Sequence, residues 1–207
     1  MRYLYIDTSS SYLYSAIVED DKLLSEIKEE YGQNLSKEAL PRIVSMFNDN
    51  SLEPKDINKI IVVNGPGSFT GIRIGLTIGK VYAWSLSIPI TTILSLEAMA
   101  LSSKEDKYHV PIINARRGYV FGAIYDKDFN EVLKPCHITI EDLLKELDKL
   151  DNYEIISNDE FDEFDRINSY DPDILKIVDY FGGKESINPH LVNPEYLKLT
   201  EAEESKL

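Results

Sequence analysis

Apolar and polar residues alternate through the first thirty positions, which is the period of β-strands. The alternation predicts strands over residues 3–7, 12–18 and 23–28, joined by polar turns into a meander. The spacing of apolar residues then changes to that of an amphipathic helix beginning near Ser36. The apolar positions of this helix are Ala39, Leu40, Ile43, Val44 and Phe47.

A continuous apolar run marks the next part of the chain. Residues 59–64 predict a buried strand, and a glycine-rich turn after it leads into a long helical pattern. A strand near Ile90 and a short helix over residues 95–101 follow. Strands mixed with helices in this order indicate an α/β protein with a mixed sheet.

The second half of the sequence repeats the start of the first. An ungapped match at an offset of 107 residues places Ile6 on Ile113, Asp7 on Asn114 and Tyr12 on Tyr119. A duplication predicts that each half begins with strand, turn and strand, and a chance match of two alternating hairpins is the alternative. A helix over residues 140–150 and a strand over 154–157 continue the second half, which has fewer elements.

This repeat predicts two related subdomains. The polar segment "SSKEDK" sets their boundary, so we expect a complete N-terminal subdomain over residues 1–104 and a reduced C-terminal one over 105–200. Residues 201–207 are an acidic tail, for which a solvated surface is the expected role.

Small residues recur every four positions along the long helix, at Gly71, Gly75, Gly79 and Ala83. Each glycine costs up to about 1 kcal/mol of helix stability relative to alanine, so close contact with another backbone is expected to compensate. Packing within the chain and pairing with a partner helix both remain open. Because other apolar residues cover most of the circumference, the helix is expected to be buried on both sides.

The turn before this helix, "GPGSFTG", resembles a phosphate-binding loop but has neither standard nucleotide motif. No register gives G-x-x-x-x-G-K-[ST], and the third glycine of G-x-G-x-x-G falls one residue late. A weak anion or nucleotide contact is one interpretation, with Thr70 capping the helix and exposing its first N–H groups. A tight strand-to-helix turn is the other. The candidate contact residues are Asp7, Thr8, Gly67, Ser68 and Thr70.

The charge and the cysteine content of the chain argue against several classes of function. The 22 Lys and Arg against 36 Asp and Glu give a net charge of -14, which argues against nucleic-acid binding by the chain alone. One cysteine, Cys136, and no long uncharged apolar run indicate a cytoplasmic protein without disulfides or membrane segments.

The inventory of catalytic side chains is short. The histidines, His109, His137 and His190, form no metal-binding pair, so we expect no metal site, and G-x-S-x-G is absent. Asp7, at the end of the first strand, is the one carboxylate with a plausible site geometry. An Asp that merely closes a strand into a turn is the alternative.

Five segments carry a resemblance to a known family. They are "IDTSSSYLYSAIV", "GPGSFTGIRIGL", "SLEAMA", "NARRGYVF" and "NPEYLKLTEAE", and together they resemble the TsaB family, also called YeaZ, over the whole chain. The resemblance implies the duplicated α/β fold of the actin, sugar-kinase and heat-shock-ATPase superfamily. It also implies a subunit without catalytic activity of its own, in the bacterial machinery that makes threonylcarbamoyladenosine next to the anticodon of tRNAs reading codons that begin with A.

The same resemblance implies partners. The family pairs with its catalytic paralogue TsaD as a heterodimer, the ATPase TsaE joins as a third subunit, and tRNA is reached only through the complex. We expect a homodimer when TsaD is absent. Since the family pairs through its N-terminal helices, the expected interface comprises Ile72, Arg73, Gly75, Leu76, Gly79 and Ala83.

Several positions depart from the family pattern. Leu35 stands where relatives often have a histidine, and Ser9 stands where the superfamily's phosphate loop has glycine. Asn114 and Tyr119 replace two usual carboxylates, which weakens any nucleotide role that depends on those acids.

Two other functions compete with the subunit hypothesis. An ATP-dependent phosphotransferase of the same superfamily would use Asp7 as the carboxylate associated with Mg²⁺. A metalloprotease is the other alternative, but the sequence lacks the metal-binding residues that such an enzyme needs. We expect no tightly bound cofactor, and ATP or ADP at the interface with TsaD remains open.

Overall fold

The computed structural model describes residues 1–198 and divides into two compact units. The first comprises Met1–Ala98 with Pro172–Glu195, and the second comprises Met99–Asp171 with residues 196–198. The predicted acidic tail at residues 201–207 lies outside the described residues.

A five-stranded mixed sheet is the centre of the first unit. Its strands are β1 (Arg2–Asp7), β2 (Tyr12–Glu19), β3 (Lys22–Glu30), β4 (Lys59–Val63) and β5 (Ile90–Ile93). Their order is β3-β2-β1-β4-β5. The meander β1 to β3 is antiparallel, whereas β4 pairs in parallel with both β1 and β5, so the predicted mixed sheet is confirmed.

A four-stranded mixed sheet is the centre of the second unit. Its strands are β6 (Tyr108–Arg116), β7 (Tyr119–Tyr125), β8 (Glu131–Thr139) and β9 (Tyr153–Ile156), in the order β8-β7-β6-β9. This order repeats β3-β2-β1-β4 of the first unit, with one strand fewer. The structure therefore confirms two related subdomains, the second reduced.

The helices of the described chain complete the two units. They are α1 (Leu35–Asp49), α2 (Phe69–Leu86), α3 (Ser95–Leu101), α4 (Ile140–Leu147) and α5 (Ile174–Gly182). In the second unit, Leu143 and Leu147 of α4 pack with Val110, Ile112 and Val120 of the sheet. No helix within residues 1–198 is long and apolar enough to cross a membrane.

Helices cover both faces of the first sheet. α1 and α2 bury their apolar sides on the face that carries Leu4, Ile6 and Val62. α5 packs on the opposite face, where a Cβ added to Gly182 would lie 3.0 Å from the Tyr3 ring. The first unit is thus a three-layer structure of helices, sheet and helix.

Residues 172–195 rejoin the first unit, and Lys59 of β4 holds part of this segment in place. Only 4% of this residue is exposed, and its Nζ donates to the carbonyl oxygens of Gly182, at 3.0 Å, and Lys184, at 2.6 Å. Burial lowers the pKa of the Lys59 ammonium. Further along, the Glu195 N–H donates to the Asn64 carbonyl at 2.8 Å.

This return corrects the proposed division of the chain at residue 104. The repeat in the sequence predicts that residues 172–195 are part of the C-terminal subdomain over 105–200, but in the structure they belong to the first unit. The physical reason is that Ile177 and Phe181 of α5 need apolar surface to cover, and the first sheet supplies it on its second face.

Candidate functional site

Asp7 ends β1 in a turn that is closed by hydrogen bonds. Its carboxylate accepts the Ser9 N–H at 2.8 Å, and only 1% of the residue is exposed. Burial raises the pKa of the Asp7 carboxyl, against the opposing effect of hydrogen bonds from Ser9 and Tyr5. The site therefore makes ionisation of Asp7 less favourable than it is in water, and ionisation is what a cation ligand needs.

The next residue, Thr8, joins this turn to α2. Its hydroxyl donates to the Gly71 carbonyl at 2.7 Å and accepts the Gly75 N–H at 3.0 Å. A Cβ at Gly75 would lie 2.4 Å from Thr8 Oγ1, and one at Gly71 would lie 2.1 Å from the Thr8 carbonyl oxygen. Two of the glycines are therefore required by the approach of β1 to α2.

The glycine-rich turn packs equally closely on the Asp7 turn. The Ser68 N–H donates to the Ser9 carbonyl at 2.7 Å, and a Cβ at Gly67, whose φ is +150°, would lie 2.2 Å from the same oxygen. The structure thus brings Asp7, Thr8, Gly67 and Ser68 together. They contact one another directly, and these contacts favour the strand-to-helix turn over an anion cradle.

Ser68, not Thr70, caps α2. The Ser68 side chain accepts the Gly71 N–H at 3.2 Å, whereas Thr70 lies inside the first turn and is exposed. The expectation that Thr70 caps the helix is wrong, because the chain already turns helical at Phe69.

The small-residue side of α2 faces its own sheet. Five of the six residues expected at a partner interface are buried inside the first unit: Ile72, Gly75, Leu76, Gly79 and Ala83. Gly79 lies over Ile60, Val62 and Ile90, to which an added Cβ would come within 3.4 to 3.7 Å. The prediction that this ridge admits a partner helix is therefore corrected, because the sheet strands occupy the space beside the glycines.

The opposite side of α2 is the exposed one. Val81 and Trp84 are 58% and 62% exposed, and Phe69 is exposed near the start of the helix. Arg73, the sixth expected interface residue, lies on this side with its guanidinium 3.7 Å from the centre of the Phe69 ring. This cation–π contact with the Phe69 ring is one contact of the Arg73 side chain.

Exposed apolar residues continue onto α1. Leu40 and Val44 are exposed, while Ala39 and Ile43, one position before each, are buried. Phe47 of α1 stacks on Tyr82 of α2 with ring centres 6.1 Å apart, so the two helices lie side by side on one face of the sheet. We call the exposed residues Leu40, Val44, Phe69, Arg73, Val81 and Trp84 the outer helix face.

Only part of this face could be found from the sequence. Leu40 and Val44 are predicted as apolar positions of the helix, but the apolar stripe there is two residues wide and its outer edge is exposed. Phe69 and Val81 are absent from the predicted interface, because that interface is predicted on the side of α2 that carries the glycines. The signal in the sequence that could have identified the exposed side of α2 is the presence of apolar residues on the side of the helix opposite to the glycines.

The second unit carries a hydrogen bond that repeats the Asp7 turn. Asn114 Oδ1 accepts the Arg116 N–H at 2.8 Å, as Asp7 accepts the N–H two residues on. The predicted equivalence of Asp7 and Asn114 is thus matched in geometry. Within residues 1–198, no group of three His, Cys, Asp or Glu side chains is arranged to hold a metal ion.

Comparison with known proteins agrees with the motifs and the fold. The family model described as "TsaD: tRNA N6-adenosine threonylcarbamoyltransferase" matches residues 22–172. The chain is 32% identical to the tRNA threonylcarbamoyladenosine biosynthesis protein TsaB of Bacillus subtilis over 98% of this chain and 96% of that protein. The chain belongs to the TsaB family.

Further relatives extend the similarity. The TsaB protein of Escherichia coli is 29% identical over 64% of this chain and 58% of its own length. The structure of YeaZ from Pseudomonas aeruginosa superposes with a TM-score of 0.76 at 18% identity, covering 95% of this chain and 99% of that one. A second structure, of an uncharacterized protein with similarity to peptidase YeaZ from Pseudomonas aeruginosa, gives a TM-score of 0.81 at 16% identity, with the same coverage. The fold is accordingly the α/β fold of the YeaZ structures, in agreement with membership of the TsaB family.

Proposed function

We propose that this chain is a non-catalytic subunit of the machinery for tRNA threonylcarbamoyladenosine biosynthesis and that it pairs with TsaD through the outer helix face. Membership of the TsaB family supports the pathway. The observation that carries the mode of action is that α1 and α2, which pack side by side, both expose large apolar side chains. Apolar residues gathered on one surface mark an interaction site.

The single arginine on the outer helix face also favours a protein partner. Arg73 stands among apolar residues on the outer helix face, and an arginine stacked on an aromatic ring is a common anchor of protein interfaces. Burying Val81 and Trp84 against apolar surface would contribute roughly 25 cal/mol for each Å² removed from water.

A phosphotransferase using Asp7 is less well supported. Such an enzyme needs an ionised carboxylate that reaches a bound cation, whereas Asp7 is buried and its pKa is raised by that burial. The closed contacts of Ser9 with Gly67 and Ser68 also leave no gap between the two turns.

The remaining parts of the proposal follow the family. TsaE joins as the third subunit, tRNAs reading codons that begin with A are the substrates, and tRNA is recruited through the complex in the cytoplasm. Without TsaD the chain forms a homodimer through the same outer helix face. It holds no cofactor tightly, and any ATP or ADP lies at the interface with TsaD.

Val81→Glu tests the proposed interface. Because a carboxylate buried in an apolar contact loses its hydration without a partner, we expect pairing with TsaD to weaken at least about tenfold. The measurement is size-exclusion chromatography with light scattering on the chain alone and mixed with TsaD. The change should also convert the homodimer into a monomer.

The matched control is Val132→Glu. Val132 is similarly exposed, but it lies on β8 in the second unit. This variant should pair like the unchanged protein. If Val81→Glu pairs normally, or if both variants lose pairing equally, the outer helix face is not the interface.

A further inference from the structure

The turn between β6 and β7 presents two arginines in an unusual backbone conformation. Arg116, Arg117 and Gly118 have φ values of +66°, +56° and +77°. Left-handed conformations are unfavourable for residues with a side chain, at roughly 1 kcal/mol or more each. The tight connection from β6 to β7 therefore holds two adjacent arginines at an exposed tip.

Hydrogen bonds hold this tip at its base. The Arg116 N–H donates to Asn114 Oδ1, the Asn114 N–H donates to Asp159 Oδ2 at 2.7 Å, and the Ile140 N–H donates to the Gly118 carbonyl at 2.9 Å. No atom lies within 4 Å of a Cβ added at Gly118, so the tip projects into open space. It is a supported turn that presents its side chains outward.

Arg116 and Arg117 both lie at exposed positions. Within residues 1–198 neither Arg116 nor Arg117 makes an ion pair or a side-chain hydrogen bond, although the chain carries an excess of acidic residues. The neighbouring carboxylates already have partners: Asp159 accepts the Asn114 N–H, and Asp142 binds Lys145. Two adjacent arginines without carboxylate partners suit an anion, and guanidinium groups match phosphate oxygens well.

An aromatic platform adjoins the arginines. The Tyr119 ring stacks on His137 with centres 4.6 Å apart and planes within 5°. Phe121, which pairs with His137 across the strands, has its ring centre 5.3 Å from the histidine ring. Tyr119 is still 39% exposed. Unpaired bases stack on exposed aromatic rings of this kind in proteins that bind single strands.

We infer that the turn at Arg116 and Arg117, together with Tyr119, is an RNA contact that takes the phosphates and one unpaired base of a single-stranded segment. The inference rests on the proposed function, because it gives this chain its own contact with the RNA held by the complex. The net charge of -14 opposes binding elsewhere on the surface, so the contact is local and weak in the isolated chain.

The test measures RNA binding by the full chain, with fluorescence anisotropy at about 50 mM salt. One probe is an RNA stem-loop with unpaired loop nucleotides, and the other is a fully paired duplex of equal length. We expect the stem-loop to bind with a dissociation constant on the order of 10⁻⁴ M and the duplex to bind more weakly.

Variants separate the two parts of the contact. Arg116→Gln with Arg117→Gln should weaken stem-loop binding about tenfold or more and reduce the salt slope by about 1.4, the value for two phosphates on a single strand. Tyr119→Leu should weaken stem-loop binding about fivefold or more and leave duplex binding unchanged. The control pair, Lys127→Gln with Arg166→Gln, removes two exposed charges of the same unit and should have little effect.

Four outcomes would overturn the inference. They are no stem-loop binding by the unchanged chain, an equal loss in the control pair, equal binding of stem-loop and duplex that Tyr119→Leu does not alter, and loss of TsaD pairing in the arginine variant with RNA binding intact. The last would make the turn a protein contact. Pairing of the unchanged chain and of the Val81→Glu variant with TsaD is measured separately and tests the outer helix face, so a failure of the proposed interface is distinguishable from a failure of the RNA contact.

Discussion

At the scale of single residues, the glycines of α2 differ in what they do. A Cβ at Gly75 would lie 2.4 Å from the Thr8 hydroxyl, which is also the acceptor for the Gly75 N–H. At Gly79 an added Cβ meets only side-chain carbons at 3.4 Å or more. The same residue type, four positions apart, is required at one site and replaceable at the other.

Alanine at each position tests this difference. Gly75→Ala should destabilise the chain by roughly 1–3 kcal/mol, because the methyl group forces Thr8 away from α2. Gly79→Ala should be neutral or stabilise by up to about 1 kcal/mol, because alanine is the better helix former. Urea denaturation of both variants measures the two changes, and equal effects would mean that the approach of β1 to α2 is not what Gly75 serves.

Asp7 provides a second prediction at this scale. Its raised pKa means that its contribution to stability is complete below about pH 4, the ordinary value for Asp, and is lost as pH rises through the raised value. Asn cannot ionise, and Asn114 already makes the equivalent hydrogen bond in the second unit. The stability of Asp7→Asn relative to the unchanged chain should therefore increase from pH 4 upward.

Unfolding free energies of the two proteins across that pH range measure the effect. The relative stability should level off once pH exceeds the pKa of folded Asp7. A difference that is constant with pH would contradict the raised pKa of buried Asp7.

At the scale of elements, the packing of α5 is determined by its apolar side. Its buried residues are Ile174, Ile177, Val178 and Phe181, and its carbonyl end is bound by Lys59. A helix with this apolar side is unstable alone and needs a surface to cover. The sheet of the first unit had one uncovered face, and α5 occupies it.

Two changes within α5 test this assignment. Ile177→Ala should cost about 2–5 kcal/mol, because Ile177 is fully buried, whereas Leu175→Ala, at an exposed position, should change stability by about 0.5 kcal/mol or less. Hydrogen exchange should show the loss in β1 and β4 of the first unit. Faster exchange confined to β6 and β9 would instead attach α5 to the second unit.

At the scale of the whole molecule, the duplication is repeated with small differences. Ile6 pairs with Ser15 in the first unit, but Ile113 pairs with Phe121 rather than with Gly122, so the second hairpin is one residue shorter. The ungapped match at 107 residues is thus correct for β6 and shifts by one across the hairpin. This tighter connection is where Arg116 and Arg117 adopt left-handed conformations.

The predicted elements follow the periodicity closely where the pattern is local. The short helix over residues 95–101 is found at those residues, and the strands of the first meander agree within two residues at each end. The predicted helix over 140–150 ends earlier, at Leu147. β8 and α5 are not predicted, because β8 contains Pro135 and a weak alternation and α5 follows a long acidic segment.

The sequence by itself determined the α/β class, the duplication and the family. Each of these depends on residues near one another in the chain or on motifs with fixed spacing. Which side of α2 is exposed, where α5 packs and which glycine needs its missing side chain depended on the tertiary structure. The reason is that an apolar or glycine-lined side specifies only that something must cover it, and long-range packing decides which surface does.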